Sequence, residues 1–98
     1  MLQIFKSQLY ETWFDALRDR AAKGRIRARL DRLELGNPGQ HRVLTNGVIE
    51  MKIDFGPGYR VYYAQRGTLL ILLLCGGDKS SQQADIETAL TMATTLEQ

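Results

Sequence analysis

The segment 46–64, NGVIEMKIDFGPGYRVYYA, decides the fold because its apolar residues recur at every second position. It opens with Asn46-Gly47, a typical hairpin turn, since both residue types tolerate positive φ. Residues 48–55 alternate between an apolar and a polar side, and residues 59–64 do the same after a glycine-rich turn. The segment therefore predicts antiparallel strands that share one apolar face.

Helices are predicted before this segment. Residues 1–5 form a short apolar segment that is interpreted as a first strand, and Ser7 is a plausible N-cap for a helix over about residues 8–20. A second apolar stripe at helical spacing predicts another helix that ends near Leu35, just before Gly36. The hinge between the two helices is expected near residues 21–24, although one bent helix would give nearly the same pattern.

Another strand and a final helix are predicted after it. Residues 68–75 are apolar without alternation, which favours a strand covered on both faces. Ser80 and Gln83 have the spacing of a capping box at the start of the last helix. The predicted order is β-α-α-β-β-β-β-α, an α+β fold with a mainly antiparallel twisted sheet, a helical hairpin on one face and a C-terminal helix.

The composition excludes several classes of protein. A chain of 98 residues with 44% hydrophobic residues and a net charge of +2 predicts one domain over residues 1–98, too small for a deep cofactor cleft. One cysteine and one histidine rule out the usual zinc sites, so no metal and no cofactor is expected. The longest apolar run, 69–75, is far shorter than the ~20 residues of a membrane span. With no readable signal peptide, we expect a cytoplasmic protein without a membrane partner.

The register of the strands places the polar side chains. A three-residue loop after Phe55 would set Asp54 opposite Arg60, and a two-residue turn at 46–47 would set His41 beside Lys52. One sheet face would then carry His41, Glu50, Lys52, Arg60 and Tyr62. Because the helices must cover the apolar face, we expect this polar face to be open to solvent.

Such a face suits RNA. Lysine and arginine neutralise phosphates, and tyrosine or histidine stacks on unpaired bases. Metal-free cleavage by a ribose 2′-OH needs a general base, for which Glu50 or His41 qualifies, and cations at the phosphate, for which Arg60 and Lys52 qualify. Lys79 and Tyr62 would give further support. The alternative is an ordinary solvated strand face in which Asp54 and Arg60 form only an ion pair.

A second basic feature lies in the predicted second helix. Seven of the thirteen basic residues fall between positions 18 and 32, among them Arg25, Arg29 and Arg32. Phosphate contact, docking of an acidic partner segment and a simple solvated helix face all fit this pattern. Trp13, Phe14 and residues 69–74 are assigned to the core, and Cys75 to an inert buried thiol.

Two strings resemble a known family. GYRVYY at 58–63 and LLLCGGDKS at 72–80 are similar to the addiction-module killer proteins of the RelE/ParE toxin superfamily, close to the HigB branch. The first string is shared across the superfamily, whereas the second is more specific to the killer proteins. The resemblance covers nearly the whole chain.

The resemblance implies a toxin that is neutralised by a cognate antitoxin, typically a helix-turn-helix protein, and that cuts mRNA on the ribosome without metal. Arg60 then matches the arginine that stabilises the transition state, Lys52 matches a strand lysine, and Lys79 lies near a basic residue after the last strand. Glu50 stands in place of a second lysine. The late catalytic tyrosine of RelE-like nucleases is replaced by Asp85-Ile86.

Residues beyond this catalytic set are assigned to binding. His41, Arg42, Tyr62 and Asp78 are expected to contact the substrate, and the basic helix residues to contact antitoxin or phosphate. The ParE branch shares the fold but inhibits DNA gyrase without cutting RNA. A non-nuclease toxin directed at gyrase or another protein is therefore the alternative function.

Overall fold

The structure, a computed structural model, describes residues 1–96. It contains, in chain order, β1 (Gln3–Lys6), α1 (Gln8–Ala16), α2 (Arg20–Glu34), β2 (His41–Val43), β3 (Val48–Ile53), β4 (Tyr59–Arg66), β5 (Leu70–Gly77), a 3-10 turn (Lys79–Ser81) and α3 (Gln82–Leu96). The strands form one sheet in the order β1-β5-β4-β3-β2. Among the strands within residues 1–96, only the β1–β5 pair is parallel, and the α+β prediction is confirmed.

The break between the two N-terminal helices lies earlier in the chain than predicted. Ser7 caps α1 as predicted, with its hydroxyl accepting from the Tyr10 amide at 3.0 Å. The first helix ends before Leu17, and Asp19 caps α2 by accepting from two backbone amides. The expected hinge at residues 21–24 is therefore wrong. Asp19 removes the ambiguity between two helices and one bent helix, because its side chain satisfies amides that a continuous helix would bond internally.

The helices lie on opposite faces of the sheet. Tyr10 and Phe14 of α1 pack with Ile26 and Leu33 of α2 against the apolar face. Ala89 and Ala93 of α3 pack on the other face, against Tyr62 and Leu74. This second layer was not predicted. It arises because α3 carries small residues where it approaches the strands.

The unbroken apolar run of β5 is explained by the burial of both faces of this strand. Ile71 and Leu73 belong to the core under α1 and α2, whereas Leu74 and Cys75 belong to the core under α3. A bulge opposite Tyr62 and Tyr63 leaves Leu74 without a partner in β4 and turns two successive side chains to one face. The Ser7 hydroxyl donates to the carbonyl of Leu74 at 2.6 Å, so the bulge is hydrogen-bonded to the start of α1.

The chain enters α3 through a different cap from the predicted one. Asp78, rather than Ser80, is the N-cap of the 3-10 turn, and its carboxylate accepts from the Ser80 amide at 2.8 Å. Ser81 completes the capping box. None of the helices within residues 1–96 is long and apolar enough to cross a membrane.

Candidate functional site

The register between β3 and β4 differs from the predicted one by two residues. Lys52 lies opposite Arg60, and Glu50 lies opposite Tyr62. The shift arises because β3 ends at Ile53 and the connection has five residues, closed by a hydrogen bond from the Gly58 amide to the Phe55 carbonyl. The faces are preserved by a shift of two, but the predicted Asp54–Arg60 pair is wrong.

The register between β2 and β3 differs by one residue, which exchanges the faces. Arg42 lies opposite Glu50, and His41 lies opposite Met51 rather than beside Lys52. Asn46 and Gly47 have positive φ as expected, but Leu44 bonds to Val48, so the loop has three residues. The neighbour of Glu50 on this face is consequently Arg42.

The polar face is largely covered, contrary to the expectation that it is open. Because α3 packs over it, only 5% of Glu50, 7% of Arg60 and none of Tyr62 is exposed. An open cleft of about 270 Å³ remains beyond the start of α3. Its lining consists of Gln40, His41, Arg42, Glu50, Lys52, Arg60 and Gln82.

Glu50 is the centre of this cleft. Its Oε2 accepts from the Tyr62 hydroxyl at 2.9 Å and from Nε2 of Gln82 at 3.1 Å. Its Oε1 lies 3.1 Å from Nη2 of Arg42. Both carboxylate oxygens are thus already engaged, which does not favour Glu50 as the predicted general base.

Arg60 lies at the floor of the cleft. Its Nη1 donates to the carbonyl of Gly58 at 2.8 Å, which orients the guanidinium. Its Nε lies 3.9 Å from Oε2 of Glu50, too far for a hydrogen bond, and is buried without an acceptor. A buried, charged donor with an unused N–H is unusual in a folded protein.

The other predicted cations differ in placement. Lys52 lines the cleft and is half-buried. Lys79 is exposed and is not part of the cleft lining, although its Cβ lies near Gly58, to which Arg60 is hydrogen-bonded. Hydrogen bonds from Ser80 hold the pKa of Asp78 below its ordinary value, and Arg60 contributes to this shift. The Asp78 carboxylate thus caps the 3-10 turn, whereas the sequence predicts that it contacts the substrate.

Tyr62 does not have the exposed ring that base stacking requires. The ring is fully buried between β4 and α3. Burial raises the pKa of its hydroxyl, and the hydrogen bond to Glu50 raises it further. Tyr62 is thus a buried hydrogen-bond donor to the cleft.

Some of the basic residues of α2 take part in packing contacts. Arg29 is buried, and its guanidinium donates to three backbone carbonyls, so it is not available for the predicted contact with phosphate or antitoxin. Arg25 lies over the ring of Phe55 at 4.5 Å. Arg32 is exposed, as a docking residue must be.

Gln82 is a site residue that sequence reasoning missed. It is the first residue of α3, and its side-chain amide donates to Glu50 on the face of the sheet that α3 covers. The capping pattern nearby indicated where α3 begins, but not that this end faces the strands. Within residues 1–96, no three His, Cys, Asp or Glu side chains are grouped so that they could hold a metal ion.

Comparisons with known proteins identify the family. The chain matches the model of the phage-derived Gp49-like proteins (DUF891) over residues 12–96. It is also 41% identical to an uncharacterized protein of Haemophilus influenzae over 95 residues, which are 97% of this chain and 96% of that protein. The match, the fold and the strings at 58–63 and 72–80 agree: the chain belongs to the phage-derived Gp49-like family, a family of RelE-like toxins.

Proposed function

We propose that this protein is the toxin of a type II toxin–antitoxin module and that it cleaves mRNA on the ribosome without a metal ion. The observation that carries the proposal is the convergence of Arg42, Lys52 and Arg60 on one small open cleft. Three cations around a single opening of about 270 Å³ favour a polyanion. Membership of the Gp49-like family supports the toxin assignment.

The reaction would be an internal transesterification. The ribose 2′-oxygen attacks the adjacent phosphorus, the bond to the 5′-oxygen breaks, and the products carry a 2′,3′-cyclic phosphate and a 5′-hydroxyl. Arg60 and Lys52 would stabilise the additional negative charge of the phosphorane. The leaving 5′-oxygen would take its proton from solvent water at the open side of the cleft, and the hydroxide that remains would accept the proton held by the general base.

His41 is a better candidate for the general base than Glu50. Its Nδ1 lies 2.7 Å from the carbonyl of Gly39, and because a carbonyl only accepts, Nδ1 carries the hydrogen. The Nε2 lone pair of the neutral ring is then free to take the 2′-OH proton. His41 is exposed and lines the rim of the cleft. Its register opposite Met51 assigns its side chain to the other face of the sheet from Glu50, so a ribose would reach the ring around the β2 edge.

The test is to express the protein in growing cells and to map mRNA 5′ ends by primer extension. We expect new ends within translated codons, and intact transcripts in growth-arrested cells would overturn the nuclease assignment. Arg60→Ala is expected to reduce cleavage by about 10²-fold or more. Arg18→Ala serves as the matched control, because it removes the same positive charge at an exposed position outside the cleft.

The partner is proposed to be a helix-turn-helix antitoxin encoded next to the toxin. The exposed basic residues Arg25 and Arg32 on α2 and the cleft itself are the proposed docking sites. Amide hydrogen exchange with and without the antitoxin would test them. Unchanged protection in both regions would reject both sites.

One observation favours a non-nuclease toxin as the second candidate. Glu50 lies against both Arg42 and Arg60, so two of the three cleft cations already have a carboxylate partner. A toxin of the ParE kind would need no catalytic set. Inhibition of gyrase supercoiling by the purified protein, with intact mRNA in cells, would favour this candidate over the nuclease.

A further inference from the structure

We propose that Glu50 masks the cleft: its carboxylate occupies the anion position between Arg42 and Arg60, and an RNA phosphodiester binds by displacing it from Arg42. The inference rests on the RNA function proposed above and assigns Glu50 a regulatory role in place of the catalytic one. It follows from the different contacts of the two carboxylate oxygens, Oε2 and Oε1.

The inner oxygen of Glu50 is fixed. Oε2 accepts from Tyr62 and from Gln82, and both donors belong to packed elements, β4 and α3. The Glu50 side chain is only 7% exposed. The negative charge therefore stays in the cleft whether or not a ligand is bound.

The outer contact is exchangeable. The Arg42 side chain is 57% exposed and extends from β2, a three-residue edge strand. An ion pair with one solvated member contributes little stability, and a phosphate offers the same bidentate geometry to a guanidinium as a carboxylate does. RNA can therefore take over Arg42 without moving the core.

Arg60 supplies the second observation. Its Nε is buried, charged and without an acceptor, although Oε2 of Glu50 lies only 3.9 Å away. Glu50 thus reduces the positive potential at Arg60 without forming the hydrogen bond. Removing the Glu50 charge should leave both arginines unneutralised and increase the attraction for an anion.

The decisive variant is Glu50→Gln. The amide oxygen can still accept from Tyr62 and Gln82, whereas the amide NH₂ group cannot accept from Arg42. Asp54→Asn is the matched control, since it changes the net charge by the same amount on the same chain segment but outside the cleft. The probe is a short single-stranded 2′-O-methyl RNA, which has no 2′-hydroxyl to react.

We expect Glu50→Gln to bind this RNA at least about threefold more tightly than Asp54→Asn, since one unit charge about 6 Å away is worth that much even in high dielectric. The salt dependence should also steepen, by up to about 0.7 in the slope of log K against log salt for each additional phosphate contact. The increase in RNA affinity should disappear in the double variant that carries both Glu50→Gln and Arg42→Gln. Equal affinities of the two single variants would overturn the mask.

Other outcomes distinguish a failure of the proposed masking by Glu50 from a failure of the proposed RNA function. Loss of cleavage in Glu50→Gln with unchanged RNA affinity would identify Glu50 as the base and reject the mask. mRNA cleavage in cells with no gain of affinity in Glu50→Gln would keep the function and reject the mask. No saturable binding by any variant at low salt would overturn RNA as the ligand of this cleft.

A second variant covers the case in which Glu50→Gln fails to fold because Arg60 loses its counter-charge. Glu50→Asp keeps the negative charge in the cleft, and its side chain, shorter by one methylene, is expected to draw the carboxylate away from Arg42. Circular dichroism would establish that it is folded. The mask predicts tighter RNA binding than wild type, and weaker or equal binding would overturn it.

Discussion

Arg29 on α2 is hydrogen-bonded to the backbone of Lys52 on β3, with Nη1 donating to the Lys52 carbonyl at 2.5 Å. The other terminal nitrogen, Nη2, donates to the carbonyls of Pro38 and Gln40 at 2.9 and 3.0 Å. One guanidinium therefore connects the helix, the loop before β2 and the strand that carries Lys52. Burial, together with repulsion from Arg32, lowers the Arg29 pKa.

Replacing Arg29 should destabilise the fold. In Arg29→Met, three partly buried carbonyls lose their bonds to the guanidinium, and we expect a loss of about 3 kcal/mol in the free energy of unfolding. Urea denaturation measures this directly. Arg32→Met, an exposed position on the same helix, is the control and should change stability by no more than about 0.5 kcal/mol. Equal effects of the two variants would contradict the role of Arg29.

Gly76 should not tolerate a side chain. A Cβ at Gly76 would overlap the indole of Trp13, which packs against β5 from α1. Gly76→Ala is therefore expected to cost about 1–3 kcal/mol, and Trp13→Leu should recover part of this loss by making room. Thermal unfolding of the single and double variants measures the coupling.

Gly24→Ala is the matched control for this substitution. Gly24 lies inside α2, and a Cβ there would contact nothing within 4 Å. The substitution should stabilise the protein by about 0.5–1 kcal/mol, because alanine is the better helix former. A destabilising Gly24→Ala would contradict the packing described here.

The free energy of unfolding should fall at alkaline pH. Burial raises the pKa of Cys75 to about 12 from 9.0, and burial also raises the pKa values of Tyr10, Tyr62 and Tyr63 above 10.0. Above pH 9 the folded state holds protons that the unfolded state releases, so stability decreases as pH rises. Each group adds a slope that approaches about 1.4 kcal/mol per pH unit.

Urea denaturation between pH 8 and pH 11 checks this expectation. Cys75→Ala should remove the earliest part of the decrease, which begins near the ordinary thiol pKa of 9.0. Native Cys75 should also resist thiol reagents until the protein unfolds, as its burial implies. A stability profile that stays flat to pH 11 would show that these groups are less buried than described.

Tyr62→Phe separates hydrogen bonding from base stacking. Loss of the hydroxyl removes one donor to Glu50, and we expect a cost of about 1–2 kcal/mol in urea denaturation. Because the ring is buried, RNA affinity should not fall. A marked loss of affinity at normal stability would instead support the stacking role first predicted for this residue.

The faces of the central strands could be predicted from the sequence. Met51 and Ile53 alternate with Glu50 and Lys52, and the structure keeps them on the expected sides. A period of two is a local property, which the sequence expresses directly. The capping role of Ser7 was predictable for the same reason.

The register and the covering of the site could not be predicted. One extra residue in the 45–47 loop decides that Arg42 lies opposite Glu50 and that His41 lies opposite Met51 rather than Lys52. Loop length is set by hydrogen bonds such as that between Leu44 and Val48. The packing of α3 on the polar face depends on Ala89 and Ala93, whose small side chains are compatible with many helix positions. Gln82 enters the cleft only as a result of that packing.

The parallel pairing of β1 with β5 has a consequence for synthesis. Ser7, which closes the start of α1, bonds to Leu74, 67 residues later in the chain. A nascent chain cannot complete its sheet until β5 has left the exit tunnel, and the element that encloses the cleft, α3, follows β5 in the chain. Such long-range closure slows folding. The cleft is therefore assembled only after α3 has joined the sheet, so a fragment that stops before residue 82 cannot present it.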